Sequence, residues 1–426
     1  MIVETFGMAI IFSIIALSRH NAGSALGVLI LSMLVWPEYL RVPLGLFQLS
    51  VPRIIALFLL IKYISKGRHR NIKYGRTDNL VIFIWLWTII AAIIADSEFT
   101  HVSGMIGRVF DTVLMYFIAR MSMLNSSDVK NLVRWLGLTA LIMCIAGVYE
   151  MITWSSPYHL AYGELNALNR IEGYHQVRHG LLRAQGSTEV SIFFGMAMML
   201  VTGLLWSIRG YTLKPKSFKL FIFSAVLATM TSLSSGPWIA LFTLIGVNLY
   251  YRKTSLIKPT LLVILFLSLM LEAASNRHFY NLIDYIALDP LTAWYRTRLM
   301  EIAINQLPEY WLFGTGSNWP HHWATMLDGR NHIDVVNHFI IVALYGGLPA
   351  LLMYIATHVI AIKHSIRKFR QDISLPRKKL IFSLAATLVA LDLSCMSVGL
   401  YGPALLLSHI LLGLIISITT SWSTQK

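Results

Sequence analysis

A chain of 426 residues with 56% hydrophobic and only 13% charged side chains, and a mean hydropathy of +0.64, is no soluble enzyme. The formal net charge of +15 would suit a nucleic-acid partner if gathered in one patch. It is instead divided among short linkers between apolar runs, which excludes that reading. Runs of about 17–25 apolar residues cross a bilayer as helices, and they recur here without the alternation of barrel strands. The expected fold is all-α: one integral membrane domain over 1–426, a polytopic bundle of about 12–13 transmembrane helices.

In chain order, spans are expected near 3–18, 24–40, 46–64, 79–96, 105–122, 131–152, 188–207, 217–234, 236–251, 257–274, 334–362, 379–397 and 401–420. The first residues, M-I-V-E-T-F, lack a basic stretch, so no cleaved signal peptide is expected. The linkers 62–78, 209–219, 252–258 and 363–379 are rich in Lys and Arg, which assigns them to the cytoplasm. Every lysine falls on that side, while Arg41, Arg178, Arg183, Arg296, Arg298 and others remain outside. Topology alone would deplete both residue types there. Retaining arginine suits planar, bidentate recognition of phosphate or carboxylate, although pairing with outer-face acids such as Glu301 is the plainer use.

Charges inside spans point to a polar cavity opening outward. Arg53 lies near the outer end of the third span, Asp392 near that of the twelfth, and Arg108 and Asp111 share one face of the fifth. Cys144 and Cys395 sit within apolar spans as small hydrophobes. A first outer loop, 153–187, brings Arg178 and Arg183 back to the membrane surface just before the seventh span. The turn S-L-S-S-G-P-W then offers a helix start at Ser234 to Pro237 with free N–H groups, a potential anion site.

The large outer loop, 275–333, is the longest polar stretch. Within it, 291–307 reads as an amphipathic helix with an apolar stripe of Leu291, Tyr295, Leu299 and Ile302, closed by Pro308. It is expected to lie on the membrane surface, with Arg296 or Arg298 aimed at the cavity and Arg298 able to pair with Glu301. Four histidines, His321, His322, His332 and His338, match no zinc spacing, and no D-x-D pair occurs, so neither metal nor cofactor is expected. His338, beside Asn337 at the mouth of the eleventh span, is the candidate general base, with His332 or Asp334 behind it.

Four segments together resemble the O-antigen ligase and polymerase superfamily of bacterial polysaccharide assembly. They are R-A-Q-G-S-T-E-V-S-I-F-F-G (183–195), S-S-G-P-W-I-A-L (234–241), W-Y-R-T-R-L-M-E-I-A-I-N-Q-L-P-E-Y-W-L-F-G-T-G-S-N-W (294–319) and N-H-F-I-I-V-A-L-Y-G-G-L-P-A-L-L (337–352). The resemblance implies a bundle similar to one branch of the membrane glycosyltransferases (GT-C-like), with a large periplasmic loop, in the bacterial inner membrane. It implies transfer of glycan from an undecaprenyl-diphosphate donor to an acceptor glycan at the periplasmic face, with membrane lipid around it and a chain-length regulator as a candidate partner. Arg183 fits the family's loop arginine, and Arg296 or Arg298 that of the large-loop helix. Catalysis would then rest on His338, Arg183 and Arg298, and substrate binding on Arg178, Arg296, Asn337, His332, Asp334 and Arg108. Ligases of the family carry histidine where this chain has Val336, and many have S-R where it has S-S-G-P. Both departures lean toward a polymerase, with a ligase or a lipid-linked saccharide transporter as alternatives.

Overall fold

The computed structural model describes residues 2–44, 47–95, 99–122, 125–162, 177–178, 180–211, 215–274, 290–316, 319–320, 322–327 and 333–421. The expected spans carry helices α1 (Ile2–Ser18), α2 (Ala22–Val35), α3 (Val51–Ser65), α4 (Arg76–Ala95), α5 (Phe99–Ser122) and α6 (Ser126–Thr153). A short α7 (Pro157–Tyr162) follows, then α8 (Ser191–Ser207), α9 (Pro215–Thr231), α10 (Ser235–Leu249) and α11 (Ile257–Ala274). The large-loop stretch holds α12 (Pro290–Gln306) and α13 (His322–Met326). The chain ends with α14 (His338–Gln371), α15 (Leu375–Cys395) and α16 (Gly402–Ile416). Among the described residues, six helices are long and apolar enough to cross a membrane, or seven if the bent pair α10 and α11 forms one span. The chain is a multi-pass, all-α membrane protein.

Several span boundaries differ from expectation, and three of the shifts have a clear local reason. The second helix stops at Val35 because W-P-E-Y-L follows, and Pro37 cannot extend it. The third starts at Val51: residues before it form a hairpin, β1 (Arg41–Leu44) against β2 (Phe47–Ser50), and Ser50 Oγ caps the helix by accepting from Arg53 N at 3.4 Å. Helix α14 runs on to Gln371, well into a basic linker, because Lys368 and Arg370 in its last turn complement the helix dipole.

Helices α2, α8 and α16 are buried along most of their length, and α5, α9 and α15 pack against α8 or α16. At one end of the bundle lie the basic linkers, fastened by charge. Asp78 and Arg120 form a fork pair (Nε–Oδ1 2.8 Å, Nη2–Oδ2 3.1 Å) with both side chains inaccessible to solvent. Tyr116 Oη also donates to Asp78, Arg120 Nη2 donates to Lys73 O, and Asp128 accepts from the first amides of α2. The opposite end, here the loop end, gathers β1–β2, the segment entering α8, the α9–α10 turn and the segment 396–401 between α15 and α16.

Helix α14 is broken at Gly346–Gly347, where Gly347 has φ 67° and ψ −171°. A broken helix inside an apolar bundle must have its freed polar groups satisfied by protein. Trp87 Nε1 donates to Gly346 O at 2.7 Å, Thr315 N to Leu344 O at 2.7 Å, and Leu348 N to Trp311 O at 2.7 Å. The F-G-T-G turn thus locks onto the Y-G-G-L-P break, two of the four segments quoted above. A Cβ on Gly347 would overlap the Leu312 carbonyl, besides demanding a left-handed backbone. Gly347→Ala is therefore expected to destabilise the protein by about 1–3 kcal/mol or more, read as a lower melting temperature in detergent. An unchanged melt would refute the interlock.

The apolar stripe of α12 does not rest on lipid. Tyr295, Leu299 and Ile302 are buried with Trp323, Leu327, Ile341 and Leu344 in a second core, so this helix docks on the start of α14. The expected amphipathic stripe thus meets protein at Tyr295, Leu299 and Ile302, while the side chain of Leu291 lies outside the described residues. By contrast, α11 turns away from α10 by 119° and exposes its leucines almost all round, as a helix solvated by lipid does.

Candidate functional site

The segment leading into α8 begins as a two-residue hairpin, β3 (Val177–Arg178) with β4 (Leu181–Leu182). Ala184 N donates to Thr231 O at 3.0 Å, laying this segment along the α9–α10 turn. Glu150, buried at the end of α6, accepts from Gln185 N at 3.1 Å and Gly186 N at 2.9 Å and holds it there. Arg178 Nη1 consequently donates to Leu233 O at 2.9 Å. Arg183 donates through Nη2 to Ser234 Oγ at 2.7 Å and through Nε to Ser232 O at 3.4 Å. From α12, more than a hundred residues on, Arg296 Nη1 reaches Ser235 Oγ at 3.4 Å.

Three guanidinium groups therefore converge on residues 232–235, at the N-terminus of α10. The turn is strained, with Leu233 at φ 44°, a conformation that side chains beyond glycine seldom adopt. Ser234 stands at the N-cap position, but its hydroxyl makes no capping bond and turns to Ser232 O at 2.8 Å while receiving Arg183. The opening amides of a 15-residue helix are thus left without that cap. The arginine contacts named above go to oxygens of the turn and orient the guanidinium groups toward the start of α10. Chemically, this arrangement can compensate an anion with in-plane donors and a helix dipole.

The other expected site residues lie elsewhere. Arg298, two residues from Arg296, points to the opposite side of α12: it is exposed and donates to Glu301 Oε2 at 2.9 Å and Met326 O at 3.5 Å. The helical period separates the two, and the apolar stripe that docks α12 selects Arg296. His338 is not at an open mouth; it is only 4% exposed, accepts at Nδ1 from Leu400 N at 3.3 Å, and meets Tyr354 edge-on at 5.5 Å. Asn337 is a structural cap: its Oδ1 accepts from Phe339 N and Ile340 N, and its Nδ2 donates to Met396 O at 2.8 Å. Both therefore hold the 396–401 segment in place. Asp334 has an exposed side chain, and its backbone brackets Tyr295 Oη. His332 lies outside the described residues. Arg183, Arg298 and His338, the expected catalytic set, share neither of the cavities described below.

If His338 were the base, any replacement would stop the reaction; as a positioning group it needs only to accept from Leu400 N. If the polymerase expected from the sequence resemblance is correct, His338→Gln, which keeps an acceptor, should retain most polymer yield at equal protein level while His338→Leu loses it. Equal loss in both would restore the base assignment.

Arg108 does not pair with Asp111. Asp111 takes the fork of Arg53 instead (2.6 and 2.8 Å), while Arg108 lies over the rings of Tyr345 (5.2 Å) and Tyr401 (5.5 Å) and donates to Tyr345 Oη. The two residues share a helical face, but α3 places Arg53 closer to the carboxylate than Arg108 can turn. Arg53, Arg108, Asp111 and Tyr401 line a cavity of ≈ 290 Å³ at the loop end, between β1–β2, α5 and the segment entering α8. A second, water-sized hollow of ≈ 40 Å³ lies deeper, bordered by Tyr354, His358 and His409, and beside it His358 Nδ1 is 2.6 Å from Asp392 Oδ1. The sequence reading missed this pair; histidines within apolar spans (His358, His409) were the available signal. Among the described residues, no three His, Cys, Asp or Glu side chains are grouped to hold a metal ion.

Fold and site define a class: a multi-pass helical membrane protein with arginines drawn from separate loops onto one interior helix start. Beyond that class, no protein-family model matches the chain, and no curated protein matches it.

Proposed function

We propose that this protein is a polysaccharide polymerase of the bacterial inner membrane, transferring undecaprenyl-diphosphate-linked glycan onto an acceptor sugar hydroxyl at the periplasmic face. The observation that carries the reading is the convergence of Arg178, Arg183 and Arg296 on the start of α10. In glycosyl transfer from a diphosphate, the acceptor hydroxyl oxygen bonds to the anomeric carbon as the bond to the diphosphate oxygen breaks; negative charge grows on the departing undecaprenyl diphosphate, which can take up the proton the hydroxyl loses. Donors already fixed around that position stabilise the charge as it develops. Buried arginine is suited to this because it cannot lose its proton and presents its donors in a plane. The GT-C-like bundle and the periplasmic orientation are part of the same proposal, supported by the basic linkers lying opposite the arginine cluster.

A deletion strain tests the reading through its lipid-linked intermediates. Accumulation of single lipid-linked repeats is the expected result, whereas full-length lipid-linked polymer would identify a ligase. The transport alternative gains support from one observation, the His358–Asp392 pair among apolar helices, since such pairs commonly mark ion or proton paths. Reconstituted protein that moves the lipid-linked saccharide across a bilayer without lengthening it would establish that alternative.

A further inference from the structure

The ≈ 290 Å³ cavity has a chemistry unlike that of the arginine cluster. Its charged lining is balanced: Arg41, Arg53 and Arg108 face Glu38, Asp111 and Glu189, three of each sign. Most of this charge is already engaged. Arg53 is forked onto Asp111 and also donates to Gln48 O at 2.6 Å, while Arg41 donates to Glu38 O at 2.9 Å and Gln48 Oε1 at 3.4 Å. Glu38 Oε1 in turn accepts from Glu189 N at 3.2 Å. An anion would find its attraction to the guanidinium groups offset by the carboxylates beside them.

A polyol makes the opposite demand. Each sugar hydroxyl both donates and accepts, so guanidinium and carboxylate groups side by side satisfy adjacent hydroxyls together. The apolar C–H face of a sugar ring is covered by aromatic rings, and Trp36 and Tyr401 line this cavity. Its volume lies at the small end of ligand pockets, of the order of a few hundred Å³.

Two backbone stretches tie the cavity to the arginine cluster. The first runs from Arg183 to Glu189, six residues, which span at most about 20 Å. The second is the 396–401 segment. Ser394 Oγ, just before it, donates to Gly236 O at 3.0 Å at the start of α10, and Tyr401 ends it in the cavity wall. The same two segments thus shape both places.

We propose that this cavity binds a neutral sugar residue, the hydroxyl-bearing terminal sugar of the acceptor, beside the diphosphate-binding arginines. The assignment to an acceptor rests on the polymerase reading; the binding of a neutral sugar does not.

Gly104 supplies the test. It lines the cavity on α5, and a Cβ built there meets nothing within 4 Å, so Gly104→Trp fills the space without displacing backbone. Gly7→Trp on α1, where a Cβ likewise meets nothing within 4 Å, is the control for an added indole. Purified full-length protein in detergent is examined by saturation-transfer NMR with neutral disaccharides of glucose, galactose and N-acetylglucosamine, and with inorganic diphosphate as competitor. The expected result is transfer to at least one disaccharide in the wild type and in Gly7→Trp, a loss of at least tenfold in Gly104→Trp, and no displacement by diphosphate. Absence of transfer to every disaccharide, persistence in Gly104→Trp, or displacement by diphosphate would each overturn the proposal.

Polymer length in cells separates the two readings. If Arg183 and Arg296 variants stop polymer growth while Gly104→Trp leaves it intact, the acceptor cavity falls and the polymerase stands. If Gly104→Trp abolishes disaccharide binding and no variant alters polymer, the sugar site stands and the polymerase falls.

Discussion

Replacing Arg183 or Arg296 with alanine is expected to reduce polymer formation by roughly 10²–10³-fold each, while Arg298→Ala leaves it within a fewfold of wild type. The separation follows from geometry. Arg183 is buried and Arg296 half-buried against the serines that open α10, whereas Arg298 spends its guanidinium on an exposed pair with Glu301. Exposed pairs of that kind contribute about 0–1 kcal/mol to anything measurable. Polymer ladders on gels, normalised to protein in the membrane fraction, read the effect directly. Long chains from Arg183→Ala and Arg296→Ala together would remove the site from this end of the bundle. A loss confined to Arg298→Ala would move it to the other side of α12.

The largest effect on stability is expected at the opposite end. Asp78→Ala removes the carboxylate from Arg120 in a solvent-free environment, its side chain 0% exposed, where the Lys73 carbonyl and a hydroxyl of Thr420 are neutral acceptors. Removing one member of a buried pair costs about 3–5 kcal/mol because the remaining charge is uncompensated. Asp78 also accepts from Tyr116 Oη and Gly75 N, so its loss orphans two side-chain donors on α5 and a backbone donor in the linker before α4. The expected outcome is a sharply lower melting temperature and little protein in the membrane. Pairing Asp78→Leu with Arg120→Met, which removes both charges, should recover much of the loss, since the penalty lies in the unmatched charge. A double variant no more stable than Asp78→Ala alone would show that packing, not charge, sets the cost.

The apolar helices were readable because they depend on a single local property, although among the described residues six of them, or seven with the bent pair, reach the length and hydropathy of a span against the about 12–13 expected. A run of apolar residues long enough to cross a bilayer has no other way to satisfy its backbone there. Three of the boundaries that moved did so where a second local rule intervened: Pro37 ending α2, Ser50 capping α3, basic residues sustaining the last turn of α14. The convergence of outer arginines was also partly legible, since lysine was absent from the same loops and Arg178, Arg183 and Arg296 all reached one turn.

Composition and order alone dictated an all-α chain of apolar spans, and which linkers carry the positive charge. Both are sums over neighbouring residues, evaluated against a solvent of known thickness. Sequence could not choose between Arg296 and Arg298, between Arg53 and Arg108 as the partner of Asp111, or between an open and a buried His338. Each of those choices turns on which face of a helix meets which other helix. That is settled when Tyr295 and Leu299 seek cover against Ile341 and Leu344, and when α3 brings Arg53 within 2.6 Å of Asp111. Arg296 and Arg298, two positions apart, then find themselves on opposite sides of a helix whose docking no local pattern describes.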